Sequence, residues 1–209
     1  MSFIILSNKD FQEKSFGTHP KNLSMVRMTA KGRLVMSQTH VFQPMPIYEL
    51  DLNPFKQFKE DMCAIVTECD GRANAMTASW GAMGEMWGKD CITLYVRESR
   101  FTRELMDKSE TFSVNFLDMT KSVNKLALEV FGSESGRDKD KIKEVDFNVG
   151  HKLNTPYLDE SNFVFLCNKL SRTVLKEDDF FNPRIKDKFY DNGDYHVMYI
   201  AEIIRVMAR

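Results

Sequence analysis

The run Cys63-Ala64-Ile65-Val66-Thr67-Glu68-Cys69-Asp70-Gly71-Arg72-Ala73-Asn74-Ala75-Met76-Thr77-Ala78-Ser79-Trp80 decides how the rest of the chain is read. Residues 63–68 are rich in β-formers, Asp70-Gly71 is the residue pair a two-residue hairpin turn demands, and residues 75–80 are the natural returning strand. Further strands follow at short intervals. Residues 91–96 read as one, beyond a loop at 81–88, and residues 111–116 alternate polar and apolar with period two, which predicts a strand with one wet face. Residues 163–167, the run around Thr173-Val174-Leu175, and a long segment 195–206 opening after Asn192-Gly193 supply three more.

Helical signals are fewer. Asn53-Pro54 places a capping residue before the one helical position where proline's missing N–H costs nothing, so a short helix through about Asp61 is expected. Ser99 is positioned to cap a second, running to about Lys108 with Phe101 and Leu105 four apart on its buried face. Thr120 is expected to cap a third, in which Val123, Leu126, Ala127, Val130 and Phe131 form the apolar stripe and Gly132 is the stop. Residues 133–143 are charged and turn-rich. Six or more short strands with about three helices predict a mainly β (α+β) chain whose strands form a closed antiparallel barrel.

A chain of 209 residues with 43% hydrophobic composition fits one ordinary domain with a full core. Residues 1–50 are polar and weakly patterned and are read as an N-terminal extension, leaving 51–209 as the domain. With 29 basic and 30 acidic side chains, scattered rather than striped, no nucleic-acid footprint is visible. The four apolar residues Phe3 to Leu6 are too few for a signal segment, and no apolar stretch approaches the roughly 18 residues a membrane span requires. Cys63, Cys69, Cys91 and Cys167 are too irregularly spaced for a metal clamp or redox pair and read as reduced thiols of a cytoplasmic protein. His19, His40, His151 and His196 show no zinc-binding spacing, so no metal site is expected.

No nucleophilic triad, dinucleotide fingerprint or phosphate-binding loop is present in the sequence. Three segments instead place small hydroxyl residues or cations at strand ends and helix starts, where backbone N–H groups point outward. The first is Asn74-Ala75-Met76-Thr77-Ala78-Ser79-Trp80, whose small residues let a flat ligand approach the backbone; it also describes a buried strand ending in a Trp anchor. The second is Arg97-Glu98-Ser99-Arg100-Phe101-Thr102, equally a capped helix with solvated arginines. The third is Ser135-Gly136-Arg137-Asp138-Lys139-Asp140-Lys141, equally a surface charge run.

Together the segments resemble the flavin reductase-like, FMN-binding split-barrel family, and its flavoredoxins most of all. The resemblance rests on Gly71-Arg72-Ala73-Asn74-Ala75-Met76-Thr77-Ala78-Ser79-Trp80-Gly81, on Val96-Arg97 with Arg100-Phe101-Thr102, and on Phe112-Ser113-Val114-Asn115. Phe131-Gly132 with Ser135-Gly136-Arg137-Asp138 and Asp140-Lys141 is also similar, as is Tyr195-His196 before Ile200-Ala201-Glu202-Ile203. These segments keep family order over about residues 55–206.

The resemblance implies a six-stranded Greek-key split barrel with a few flanking helices, dimerising, with one FMN per subunit near the subunit interface. It implies an oxidoreductase that passes electrons from NAD(P)H or a protein donor through FMN to an acceptor, or else a non-enzymatic FMN-binding electron carrier with a redox protein as partner. By the same resemblance Asn74, Ala75, Met76, Thr77, Ala78, Ser79 and Trp80 would line the flavin ring. Arg97, Ser99, Arg100, Phe101 and Thr102 would surround the ribityl phosphate, and Ser135, Arg137 and Lys141 would close the site. Arginine forks, hydroxyls and N–H donors suit a phosphate without any metal, and a positive group such as Lys141 near the ring would stabilise reduced flavin. His196 is the candidate proton donor or substrate-facing group, and is equally a hydrogen-bonded structural histidine.

Two departures from the family stand out. Lys89-Asp90 occupies a place where the family often has prolines, and residues 176–192, with Phe180, Phe181, Phe189 and Tyr190, form a longer connection, either a lid over the flavin or dimer packing.

Overall fold

A computed structural model describes residues 41–209 and, before them, only two short antiparallel strands, β1 (Met25–Met28) and β2 (Leu34–Ser37). The chain divides into the units Met1–Val41 and Phe42–Arg209. The readings made of residues 3–6, His19 and His40 lie outside the described residues. The second unit opens with β3 (Gln43–Met45), which pairs with residues 206–208, ahead of the expected domain start at 51. Asn53 caps α1 (Pro54–Lys56) as its side chain leads one to expect: Oδ1 accepts from the N–H of Phe55 at 3.0 Å and of Lys56 at 3.3 Å. The helix continues as a π-turn, Gln57–Asp61.

β4 (Cys63–Cys69) and β5 (Arg72–Ala78) form the expected hairpin, with φ +52° at Asp70 and +73° at Gly71. The segment expected as a loop at 81–88 is a strand, β6 (Gly81–Met86), turning through Trp87 and Gly88, both at positive φ, into β7 (Lys89–Arg97). Hairpin geometry thus extends through two glycines that resemble loop residues in the sequence. α2 (Phe101–Lys108) starts one turn position later than expected: Arg100 is its N-cap residue, with no side-chain cap, because the Ser99 hydroxyl is turned to Asp194.

β8 (Thr111–Phe116) has no wet face. Ser113 and Asn115 are as buried as Phe112 and Val114, and hydrogen bonds replace water there: Ser113 Oγ donates to Pro156 O at 2.5 Å. α3 (Ser122–Ser133) runs through Gly132, and Thr120 bonds Asp118 rather than capping it. Its buried face carries Asn124, Ala127, Leu128 and Phe131, leaving Val123 and Leu126 exposed, so the stripe is rotated from the expected one. α4 (Lys141–Glu144), capped by Asp140, precedes an unanticipated hairpin of β9 (Val149–Lys152) and β10 (Thr155–Leu158). The runs at 163–167 and 173–175 are one strand, β11 (Phe163–Val174), with register irregularities at Leu166/Cys167 and Lys169/Ser171. α5 (Pro183–Phe189) and β12 (His196–Ala208) complete the chain.

The main sheet is antiparallel with order β5-β4-β8-β11-β12-β7-β6, and β3 pairs with the far end of β12. Six of these strands are the expected ones; β3 and β6 are additions. The expected closure does not occur, since β5 and β6 at the two ends share no ladder. Large side chains, among them Trp80, Arg97 and His196, line a cleft between β5 and β7 instead. Both faces of the β4-β5 hairpin are buried: Cys63, Ile65 and Met76 face the main core with Phe112, Leu94 and Tyr199, while Ala64, Val66 and Ala75 pack against Ala127, Leu128 and Phe131 of α3. Among the described residues no helix is long and apolar enough to cross a membrane.

Candidate functional site

The split between β5 and β7 opens into two adjoining clefts, of about 200 Å³ and about 220 Å³, that share Met76, Arg97 and Arg100. Strand alternation places Asn74, Met76 and Ala78 of β5 toward them. The end of β7 contributes Arg97, and the turn into α2 contributes Ser99, Arg100, Phe101 and Thr102. The loop between α3 and α4 folds back to add Ser135, Arg137 and Lys141 to the first cleft. Segments 20 to 60 residues apart, each ordinary alone, therefore meet.

Hydrogen bonds fix this convergence. Asn74 Nδ2 donates to Thr102 Oγ1 at 2.7 Å, tying β5 to α2. Arg72 donates to the carbonyls of Gly136 and Arg137, and Arg72 and Arg137 stack on the Phe101 ring at 4.8 and 5.6 Å. Gly136 must be glycine because a Cβ there would overlap Asn74 Oδ1. Gly136→Ala is expected to cost about 1–3 kcal/mol by overpacking, measured as a lowered denaturation midpoint against wild type.

The first cleft gathers four cations. Arg100 Nη1 donates to Gly132 O at 3.0 Å, Arg137 Nη1 to Ser99 O at 3.2 Å, and Arg137 also pairs with Glu104. Lys141 is buried with its Nζ donating to Phe131 O at 2.8 Å. Burial, and secondarily the charge of Arg100, push its ammonium down to about 8, against an upward pull from Glu134. Arg97 is anchored through carbonyls, Nη1 to Asp194 O at 2.7 Å and Nη2 to Phe189 O at 3.0 Å.

The second cleft is more apolar, lined by Met76, Thr77, Ala78, Ser79, Trp80 and Tyr95 with His196. Thr77 Oγ1 donates to Leu128 O at 2.5 Å. His196 is buried with its ring 4.7 Å from Trp80, and its Nδ1 shares a hydrogen bond with Tyr190 Oη at 2.8 Å. Burial first, then Arg97, bring it down to about 4, so the imidazole is neutral at pH 7. The 176–192 connection reaches this cleft through Phe189, edge-on to Trp80 at 5.3 Å, and through Tyr190 on His196.

Of the site residues that the resemblance implies, all but Ala75 line one cleft or the other, whereas Glu98, Asp138, Lys139 and Asp140 of the quoted segments do not; Ala75 points to the opposite face of β5, into the α3 core. Tyr95, Glu134, Gly136 and Asp194 also line the clefts. Period-two alternation with Arg97 would have found Tyr95, whereas Asp194 gives no signal before the fold brings it to Ser99. Among the described residues no cluster of metal-ligating groups occurs.

The family model described as "Flavin reductase like domain" matches residues 57–209, which contain every residue of both clefts. The chain belongs to this family. The flavin reductase-like domain has the fold of flavoredoxin from Methanosarcina acetivorans, at 20% identity and a TM-score of 0.55 over 71% of this chain and 68% of that one. It also matches an FMN-binding domain of a flavin reductases-like enzyme from Shewanella baltica, at 16% identity and a TM-score of 0.56 over 80% and 77% of the two chains. A third match is an FMN-binding protein from Thermus thermophilus solved with p-hydroxybenzaldehyde, at 21% identity and 0.54 over 79% and 82%. A search among curated proteins gives no match.

Proposed function

We propose that this flavin reductase-like domain is an FMN-dependent oxidoreductase that takes electrons from NAD(P)H or a protein donor and passes them through FMN to an acceptor. One observation carries the reading: Arg97, Arg100, Arg137 and Lys141 converge with Ser99 and Ser135 in a polar cleft that adjoins a less polar one walled by Met76, Ala78, Trp80 and Tyr95. A phosphate monoester on a flat ring system needs that pairing of an anion site with a slot that offers apolar and aromatic walls. The residues present therefore fit the cofactor, and the names of the structural neighbours in Shewanella baltica and Thermus thermophilus support it.

When bound, FMN supplies a ring that accepts hydride at N5 and releases electrons onward. This chain's residues supply binding and electrostatics. The cations offset the phosphate charge, and Met76, Ala78 and Trp80 exclude water from the ring. His196, neutral and hydrogen-bonded to Tyr190, holds a proton at one ring nitrogen on the wall of the apolar cleft. Exposed Val123 and Leu126, three residues apart on α3, would suit the contact of a homodimer. Four free thiols suit the reducing cytoplasm.

Lys141 gives the cleft a pH dependence. Its ammonium is charged below about 8 and neutral above, so FMN affinity is expected to fall between pH 7 and 9. Lys141→Arg, whose side chain stays charged throughout that range, should flatten the profile; a wild-type affinity constant across it would contradict the role given to Lys141.

Anaerobic mixing of FMN-loaded protein with NADH or NADPH tests the enzymatic reading. Bleaching of the flavin absorbance is expected with one of the two. A protein that holds FMN yet bleaches with neither is an electron carrier served by a protein donor.

A further inference from the structure

Two acids, Glu134 and Asp194, stand among the cations of the first cleft, and Asp194 is the one that engages Ser99. Asp194 grips Ser99 with both carboxylate oxygens, Oδ1 accepting from the Ser99 N–H at 3.0 Å and Oδ2 from the Ser99 hydroxyl at 2.7 Å. Ser99 immediately precedes Arg100 at the start of α2, so its two donors lie among the groups to which the phosphate has been assigned. A carboxylate and a phosphate monoester ask for the same partners, and two anions a few Å apart repel each other.

Displacing Asp194 is not a local event. Its carbonyl and that of Phe189 both accept from the Arg97 guanidinium, and its N–H donates to Asn192 Oδ1 at 3.1 Å. Phe189 in turn packs on Trp80, which walls the second cleft. Residues 189–194 therefore link the anion site to the aromatic wall of the apolar slot.

We propose that Asp194 is an internal stand-in for the cofactor phosphate: its carboxylate holds the Ser99 donors in the cofactor-free protein and is expelled by the incoming phosphate monoester, shifting residues 189–194 as it leaves. The inference rests on the reading of the first cleft as a phosphate site. It makes Asp194 a residue that weakens cofactor affinity, opposite in sign to the arginines, Lys141 and the hydroxyls of the cleft.

The test uses the full chain, wild type and Asp194→Asn, titrated in parallel with FMN and with riboflavin, which lacks the phosphate. Flavin fluorescence reports binding, and a thermal melt of each protein verifies folding. Asp194→Asn is expected to tighten FMN about tenfold, equivalent to about 1.4 kcal/mol, and to leave riboflavin within about twofold. In wild type, FMN but not riboflavin should alter amide hydrogen exchange in residues 189–194, a readout that stands even where the variant folds poorly. Unchanged or weaker FMN binding by a folded Asp194→Asn, or exchange in 189–194 indifferent to FMN, would overturn the proposal and make Asp194 a positioning group for Ser99. Should neither protein bind FMN, it is the cofactor reading that fails. Inorganic phosphate then decides the inference: a larger thermal upshift in Asp194→Asn than in wild type supports it, and equal upshifts overturn it.

Discussion

Arg97→Ala combined with Arg100→Ala is expected to lower FMN affinity by about a hundredfold to ten-thousandfold, since each charge-assisted contact to the phosphate contributes roughly 1.5–3 kcal/mol. The two arginines are the charged side chains shared by both clefts, so no other pair sits so close to the junction of phosphate and ring. They differ in what else they do. Arg100 donates to Gly132 O at the end of α3, whereas Arg97 holds the carbonyls of Phe189 and Asp194. Arg100→Ala alone should therefore spare riboflavin binding, while Arg97→Ala should also weaken riboflavin somewhat by releasing Phe189 from Trp80. Parallel fluorescence titrations of the single and double variants check both statements; a double variant that keeps wild-type FMN affinity would sink the phosphate assignment.

Asn115→Ala is expected to produce the largest loss of stability, of order 3 kcal/mol or more, with little change in flavin affinity of the folded protein. Asn115 is fully buried and uses its whole amide. Nδ2 donates to Ala64 O at 3.2 Å and Ser113 Oγ at 2.8 Å, while Oδ1 accepts from Leu158 N–H at 2.9 Å and Ser161 Oγ at 3.3 Å. It thereby ties β4, β8 and the β9-β10 hairpin together. Truncation strands the Leu158 N–H and the Ser161 hydroxyl without partners, at about 1–3 kcal/mol for each buried donor so left. For a chain of this size the melting temperature should fall by roughly 6–12 °C. Calorimetry of the variant measures it, and a drop of only a degree or two would show that water or a shifted hairpin satisfies the stranded groups.

That role for Asn115 shows how a sequence pattern is legible in one sense and misleading in another. Alternation at residues 111–116 locates β8 correctly, but polarity at Ser113 and Asn115 signals a wet face where the fold supplies protein hydrogen bonds instead. Turns behave similarly. Asp70-Gly71 announces its hairpin because both residue types tolerate positive φ, while Trp87-Gly88 and Leu153-Asn154 adopt the same geometry with a bulky first residue that no local preference favours. Helix α3 carries more apolar residues than one face needs, so the choice between Leu126 and Leu128 belongs to the sheet it packs on. The polar stretch Asn168 to Arg172 hides the continuity of β11, whose bulges absorb it.

The site was legible as three segments and illegible as a geometry. Hydroxyls and cations at helix starts and strand ends can be read from residue types, and fourteen of the fifteen residues that the family resemblance assigns to the cofactor reach the clefts. The exception, Ala75, follows from the same alternation that sends Asn74 and Met76 inward. Asp194 is invisible because nothing nearby in sequence distinguishes it from the other acids of residues 187–194; only the approach of Tyr195 O to Glu98 N–H at 2.9 Å, which aligns β12 with β7, carries it to Ser99.

If the four cations at the split hold the phosphate of FMN, as proposed, the phosphate must dominate flavin binding. Titration of the cofactor-free protein with FMN and with riboflavin, followed by quenching of flavin fluorescence, measures this. Saturable uptake of one FMN per chain is expected, with riboflavin at least about a hundredfold weaker; equal affinity for the two flavins, or no uptake of either, would overturn the phosphate assignment.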